Sequence, residues 1–187
     1  MNRRSLVVLV ALLVSLSAWG MEVAGVKVED KIHIGDADLV LNGAGLRSKL
    51  FFKVYVAALY AQQRSNAAET LINGAGPRRM ALHMLREMSA DTLFAALREG
   101  LQANVAEAEW TAMAAPLEKM AAIFRAVGTA KAGDNVVLDF GADGVTVGVN
   151  GETKGRIEGA AFARALLRIW LGEHPVEASL KKALLAE

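Results

Sequence analysis

Between Leu39 and Tyr60 the chain reads L-V-L-N-G-A-G-L-R-S-K-L-F-F-K-V-Y-V-A-A-L-Y, and no other stretch restricts the fold as strongly. Leu39 to Leu41 suits a short strand, and Leu50 to Tyr60 a long one rich in β-branched and aromatic residues. Gly43 and Gly45 lie between them. Glycine there admits either a positive φ or the close approach of another backbone, so a bend or bulge that re-aims a side chain is expected. Period-2 alternation puts Leu50, Phe52, Val54, Val56, Ala58 and Tyr60 on one face, and Phe51, Lys53, Tyr55, Ala57 and Leu59 on the other. Arg47 sits between the two apolar runs and has two readings. One is a solvated loop residue beside Ser48 and Lys49. The other is a guanidinium at the mouth of an apolar slot, where its planar fork would be paired by a carboxylate or enolate, because a desolvated, unpaired arginine costs several kcal/mol.

The rest of the chain supplies more strands and a cluster of helices. Val23 to Val28 and Lys31 to Ile34 are short alternating runs separated by Glu29-Asp30, which suits a hairpin. Asn66 to Asn73 reads as a short helix stopped by Gly74-Ala75-Gly76-Pro77. Arg78 to Glu87 is a strand with Met80, Leu82 and Met84 on one face. His83, on the other face, has no second histidine or cysteine nearby, and no metal site is expected. Ser89 is a candidate N-cap, and Leu93, Leu97, Leu101 and Val105 recur every four residues, so Ser89 to Val105 is predicted as an amphipathic helix. Met113, Leu117, Met120, Phe124 and Val127 carry a further helix, kinked at Pro116 or restarting with proline in its first turn. Those methionines suit either core filling or an adaptable ligand pocket. Asn135 to Phe140, Val145 to Val149 and Thr153 to Ile157 form a three-stranded meander, with Asn150-Gly151 the strongest hairpin signal in the chain. Helices over Ala160 to Leu171 and about Glu177 to Leu185 close the sequence.

The N-terminus has a different character. Arg3 and Arg4 precede an uncharged run from Ser5 to Met21, 17 residues rich in Leu and Val, and Ala18-Trp19-Gly20 has the small-x-small pattern of a signal-peptidase site. A membrane anchor needs ~20 apolar residues, so cleavage is expected, with residues 1–20 a signal peptide and 21–187 one domain in a periplasm or beyond. Without Arg3 and Arg4 the 21 basic residues become 19 against 20 acidic, which offers nothing to nucleic acid. The chain has no cysteine and so folds on its core alone, without disulfides or a lipid-bearing thiol. P-loop, dinucleotide, nucleophile-elbow, HExxH and paired-cysteine patterns are absent, so neither a cofactor nor a familiar catalytic constellation is expected.

G-A-G-L-R followed by F-F-K-V-Y-V-A-A-L-Y resembles the opening segment of the chalcone isomerase-like superfamily, which includes plant flavonoid enzymes, plant fatty-acid-binding proteins of the same fold and bacterial secreted relatives. A-L-L-R-I-W-L-G-E-H-P-V-E-A-S-L-K-K-A-L-L resembles its closing segment, so the resemblance spans about Val26 to Leu185. It implies an α+β fold, an open-faced, sandwich-like large antiparallel sheet covered on one face by helices, and the order of strands and clustered helices points the same way. In the flavonoid enzymes the opening-segment arginine holds the developing oxyanion, with a threonine on the next strand and, on a helix, a tyrosine followed seven residues on by an asparagine. Arg47 matches the arginine. Tyr55 stands at the threonine, Leu93 at the tyrosine and Gly100 at the asparagine. Each preorganised donor lost from an oxyanion site removes ~100 to 1,000-fold in rate, so efficient cyclisation is not expected and no catalytic residue is assigned.

The fatty-acid binders of the family pair the opening arginine with a tyrosine on the next strand to clamp a carboxylate, and Arg47 with Tyr55 fits that pattern. By that resemblance the chain is a non-catalytic, exported binder of a small amphipathic carboxylate such as a fatty acid. Arg47 and Tyr55 then hold the head group, Lys53 can assist from Tyr55's strand face, and Leu93 and Leu97 form apolar wall. Two alternatives remain: an isomerase or lyase acting on an unsaturated carbonyl compound, with Arg47 as oxyanion clamp and Tyr55 as a possible donor, and a periplasmic interaction module without a ligand. The last would have Arg47 salt-bridged internally and the sheet–helix interface filled, whereas binding needs an apolar cavity of ~300 Å³ or more beside Arg47.

Overall fold

A computed structural model of the protein describes residues 20–187; the expected signal segment, Gly20 apart, lies outside them. The strands are β1 (Met21–Val23), β2 (Val26–Val28), β3 (Lys31–Ile34), β4 (Ala37–Lys49), β5 (Phe52–Ala61), β6 (Arg78–Met84), β7 (Met88–Ser89), β8 (Thr129–Ala130), β9 (Asn135–Gly141), β10 (Gly144–Val149) and β11 (Glu152–Glu158). The helices are α1 (Ala68–Asn73), α2 (Ala90–Asn104), α3 (Glu107–Trp110), α4 (Ala114–Val127), α5 (Ala160–Leu171) and α6 (Ala178–Leu184). Seven strands form one antiparallel sheet in the order β11-β10-β9-β6-β5-β4-β3. β1–β2 and β7–β8 are separate small pairs.

From Tyr55 to Tyr60 the expected alternation along β5 decides the two faces, whereas Val54, expected on the face of Val56, joins the main core beside Tyr55. Tyr55, Ala57 and Leu59 enter the main core, which the sheet builds with α2, α4, α5 and α6; Val56, Ala58 and Tyr60 enter a smaller cluster on the opposite face with Val28, Leu39 and Leu41. The α+β architecture with helices layered on one face of a large antiparallel sheet is as expected, and the β1–β2 hairpin also contributes Val23, Val26 and Val28 to the second face. α5 is the central helix: eight of its twelve residues, Phe162, Leu166, Ile169 and Trp170 among them, are buried.

Several local expectations change. The first hairpin joins β1 to β2 through Ala24-Gly25, both at positive φ (51° and 88°), while β3 pairs with β4. Glu29-Asp30 therefore links two sheets and is not the turn of a hairpin. Arg47 is not in a loop between two strands either, because β4 runs without a break from Ala37 to Lys49. One of its two irregularities falls between Arg47 and Ser48; the other is a register shift between Leu41 and Gly43, where Asn42 bulges inward. That amide is buried, donates to the carbonyls of Ser65 (3.0 Å) and Leu184 (2.7 Å), and accepts from the Ser65 N–H (2.7 Å), which satisfies a polar group that would otherwise be costly. Pro116 falls in the first turn of α4, where the missing N–H has no helical partner to lose. Asn150 and Gly151 both take positive φ (51° and 83°), as the two-residue β10–β11 turn requires.

Gly43 and Gly45 use the second of glycine's two options, since neither is among the residues at positive φ. A Cβ on Gly43 would lie 2.1 Å from the Ala183 carbonyl oxygen and 2.7 Å from that of Leu184, and one on Gly45 would meet the Ala183 Cβ at 2.7 Å. The two glycines let α6 lie directly on β4. That contact brings the start of α6 to the strand that carries Arg47.

Candidate functional site

Between the sheet and the helices lies a cavity of about 980 Å³. Its floor is Val54 and Tyr55 of β5, Leu82 and Met84 of β6, and Val136 and Leu138 of β9. Its wall is Leu93, Leu97 and Gly100 of α2, Phe124 of α4, and Ile169 and Trp170 of α5. The segment Glu173 to Val176, between α5 and α6, borders it, and Arg47 and Lys49 from the end of β4 complete the lining. The methionines facing this space are Met84 and Met88; Met113 and Met120, which the helical spacing left open to a pocket role, are buried in the core and do not line it.

Arg47 and Tyr55 are direct cross-strand partners in the β4–β5 register, which brings the expected pair together at one end of an apolar space. The Tyr55 hydroxyl accepts a hydrogen bond from the Trp170 indole Nε1–H at 3.0 Å, which leaves its own proton to donate. Burial pushes the Tyr55 pKa up and dominates the opposing effects of the Trp170 bond and the Arg47 charge, so the group stays a neutral O–H donor at neutral pH.

Arg47 is not waiting unpaired. Its Nη1 donates to the Glu177 carboxylate at 3.1 Å and to the Ser48 carbonyl. Glu177 also accepts from the Ser48 N–H at 2.8 Å and the Ser179 hydroxyl at 2.8 Å. Partial burial raises the Glu177 pKa, but the Ser48, Ser179 and Arg47 donors together outweigh it and hold the carboxyl below its usual range. The arginine therefore already holds one carboxylate, which corrects the picture of a fork whose partner is the ligand alone. About a fifth of the Arg47 side chain and a quarter of the Glu177 side chain remain exposed (21% and 25%); Arg47 lines the cavity, and Glu177, outside the lining, holds it from a segment whose neighbours Val176 and Ala178 do line it.

The segment carrying Glu177 is anchored from two sides. Asn104, at the end of α2, donates to the His174 carbonyl at 2.8 Å and accepts from the His174 N–H at 3.1 Å. Lys181 Nζ donates to the Gly172 carbonyl at 2.9 Å.

Of the other sequence candidates, Leu93 and Leu97 line the cavity, while Lys53 is exposed and lies outside its lining. The register shift between Arg47 and Ser48 pairs Lys53 with Ser48 at the strand end, and Lys49 is the lysine that reaches the cavity. Gly100 has a packing reason of its own. A Cβ there would lie 2.9 Å from Ile169 Cγ2, so α5 occupies the space into which a side chain at this position would project. Glu177 and Trp170 were missed as site residues. Trp170 reads from spacing as core, and a glutamate before a short helix carries no signal that it will meet an arginine 130 residues away.

A sequence model described as chalcone isomerase-like matches residues 20–186. Among solved structures, the chain is similar to the Arabidopsis thaliana fatty-acid binding protein, with a TM-score of 0.68 at 16% identity, over 81% of this chain and 88% of that one. No curated protein matches the sequence.

Proposed function

The chain belongs to the chalcone isomerase-like family, and from that premise we propose that it is an exported binder of a small amphipathic carboxylate, a fatty acid in the first instance, and not a cyclising enzyme. The observation that carries the reading is the cavity of about 980 Å³, walled by apolar side chains and bordered at one end by a registered arginine and tyrosine. Its size is at the upper end of small-molecule sites, and a few polar groups at the edge of an apolar space are what an amphipathic ligand needs. The interaction-module alternative has its internal Arg47 salt bridge but lacks its filled interface. The solved neighbour, a fatty-acid binding protein, supports the reading through its fold.

Burying about ten methylenes at ~0.8 kcal/mol each gives roughly 8 kcal/mol, and a charge-assisted head-group contact adds ~1.5 to 3. Association costs of ~4 kcal/mol or more leave micromolar affinity as the expected order. In this account the incoming carboxylate takes the Arg47 fork from Glu177 or shares it, and the Tyr55 O–H supplies a second donor. The enzyme alternative has less support. Leu93 gives it no donor, and the space beside Gly100 belongs to Ile169.

Titration calorimetry with laurate tests the reading. Arg47→Ala should weaken binding ~10 to 150-fold, the equivalent of a lost charge-assisted bond, and Tyr55→Phe ~2 to 13-fold. Absence of any laurate heat with the wild-type protein, together with no acyl chain in native mass spectra of protein purified without delipidation, would remove the fatty-acid assignment.

A further inference from the structure

The β4–β5 hairpin tip is at odds with a surface made only for solubility. Leu50, Phe51 and Phe52 are consecutive and 84%, 98% and 57% exposed. Leu50 also adopts φ 57°, a turn conformation that glycine or asparagine occupies at lower cost, and at 84% exposure its side chain makes little packing in return. Basic groups surround the apolar tip. Lys49 and Lys53 flank it and are exposed, and Arg86, also exposed, stacks its guanidinium 4.7 Å from the centre of the Phe52 ring. Glu87, next to Arg86, is an acidic group in the same loop. The tip also borders the cavity, since Lys49 lines it.

We propose that this hairpin tip is a docking surface for an anionic lipid bilayer. A narrow apolar wedge fits the depth of the headgroup boundary, about 5 to 10 Å, and the lysine and arginine stems can lie along acyl chains while their charges reach phosphates. Each basic group near an anionic surface contributes about fivefold to partitioning. A second copy of the chain fits less well, because a symmetric tip-to-tip dimer would bring Lys49, Lys53 and Arg86 against their own copies. Docking brings the Lys49 edge of the cavity to the lipid surface, yet the docking itself needs no occupant in the cavity and stands apart from the fatty-acid reading.

The test uses the protein as its producing cell processes it, with vesicles of phosphatidylcholine alone or mixed with phosphatidylglycerol. Phe51 touches neither the core nor the cavity, so F51D should fold and bind laurate as the wild type does. Its partitioning onto the phosphatidylglycerol vesicles should fall about tenfold or more, because an inserted aromatic is replaced by a charge. An F51W variant should show quenching by brominated phosphatidylglycerol beyond that of the wild type, a signal that the other tryptophans and the N-terminal segment do not supply. Equal partitioning of wild type and F51D, or no excess quenching of F51W, overturns the proposal. So does a change in oligomeric state on F51D with vesicle binding unaltered, which would assign the tip to a second copy. Laurate titration of F51D reports on the cavity separately, so failure of docking and failure of fatty-acid binding give different results.

Discussion

Neutralising Glu177 should loosen the fold and tighten the ligand at the same time. The Arg47–Glu177 pair is 3.1 Å long and roughly three-quarters shielded, with 21% and 25% of its side chains exposed. Fully exposed pairs contribute ~0 to 1 kcal/mol, and breaking a fully buried one costs ~3 to 5. Glu177→Gln keeps an acceptor for the Ser48 N–H but removes the charge, so a loss of ~1 to 2 kcal/mol is expected, a fall of ~2 to 8 °C in melting temperature for a domain of this size. Ligand affinity should move the other way. A fatty-acid carboxylate reaching Arg47 would lie beside the Glu177 carboxylate, and removing that repulsion at this partly exposed, solvent-screened position is worth ~1 kcal/mol, or about fivefold. The pH dependence has a definite sign. Because the folded Glu177 pKa is depressed, its stabilisation is present above the ordinary glutamate value of about 4.3 and is lost as pH falls below it; the variant should lack that component. Differential scanning calorimetry and laurate titration of wild type, Glu177→Gln and Arg47→Ala provide the assay. If Glu177→Gln weakens laurate binding as much as Arg47→Ala does, Glu177 holds the occupant and does not compete with it, and the carboxylate assignment fails.

The protein has only two tyrosines, and burial raises both, Tyr60 to about 12 and Tyr55 also upward. An absorbance titration should therefore show little tyrosinate at pH 10, with stability declining as pH climbs from the unfolded tyrosine value of about 10 towards the folded one; two groups ionising near 10 in the native state would contradict the burial. Gly43→Ala should cost ~3 kcal/mol or more in denaturant unfolding, because its Cβ would meet two backbone oxygens that cannot rotate away, and laurate affinity should change as α6 shifts. Near-wild-type stability would mean that α6 does not lie on β4. Intact mass of exported protein should begin at or near Met21; a full-length mass in the membrane fraction would make residues 1–20 an anchor.

The sequence alone determined most of the secondary structure and much of the cavity's apolar lining, because those depend on local periodicity. Alternation along β5 assigned Tyr55, Ala57 and Leu59 to one face whatever the strand was to pair with, and the four-residue spacing put Leu93 and Leu97 on the inner side of α2. Asn150-Gly151 specified its turn through backbone preference alone. The tertiary structure decided everything that rests on contacts between distant segments. Spacing could not say whether Gly43 and Gly45 bend the chain or admit a neighbour, because the neighbour, α6, lies about 140 residues further on. It could not say that Arg47 already has a carboxylate, because Glu177 reaches it only through that same close approach. Lys53 and Lys49 look alike as candidates in the sequence, and a shift in strand register puts one in solvent and the other at the cavity. The polar end of the site is thus set by packing between the first and last thirds of the chain, and no local pattern encodes it.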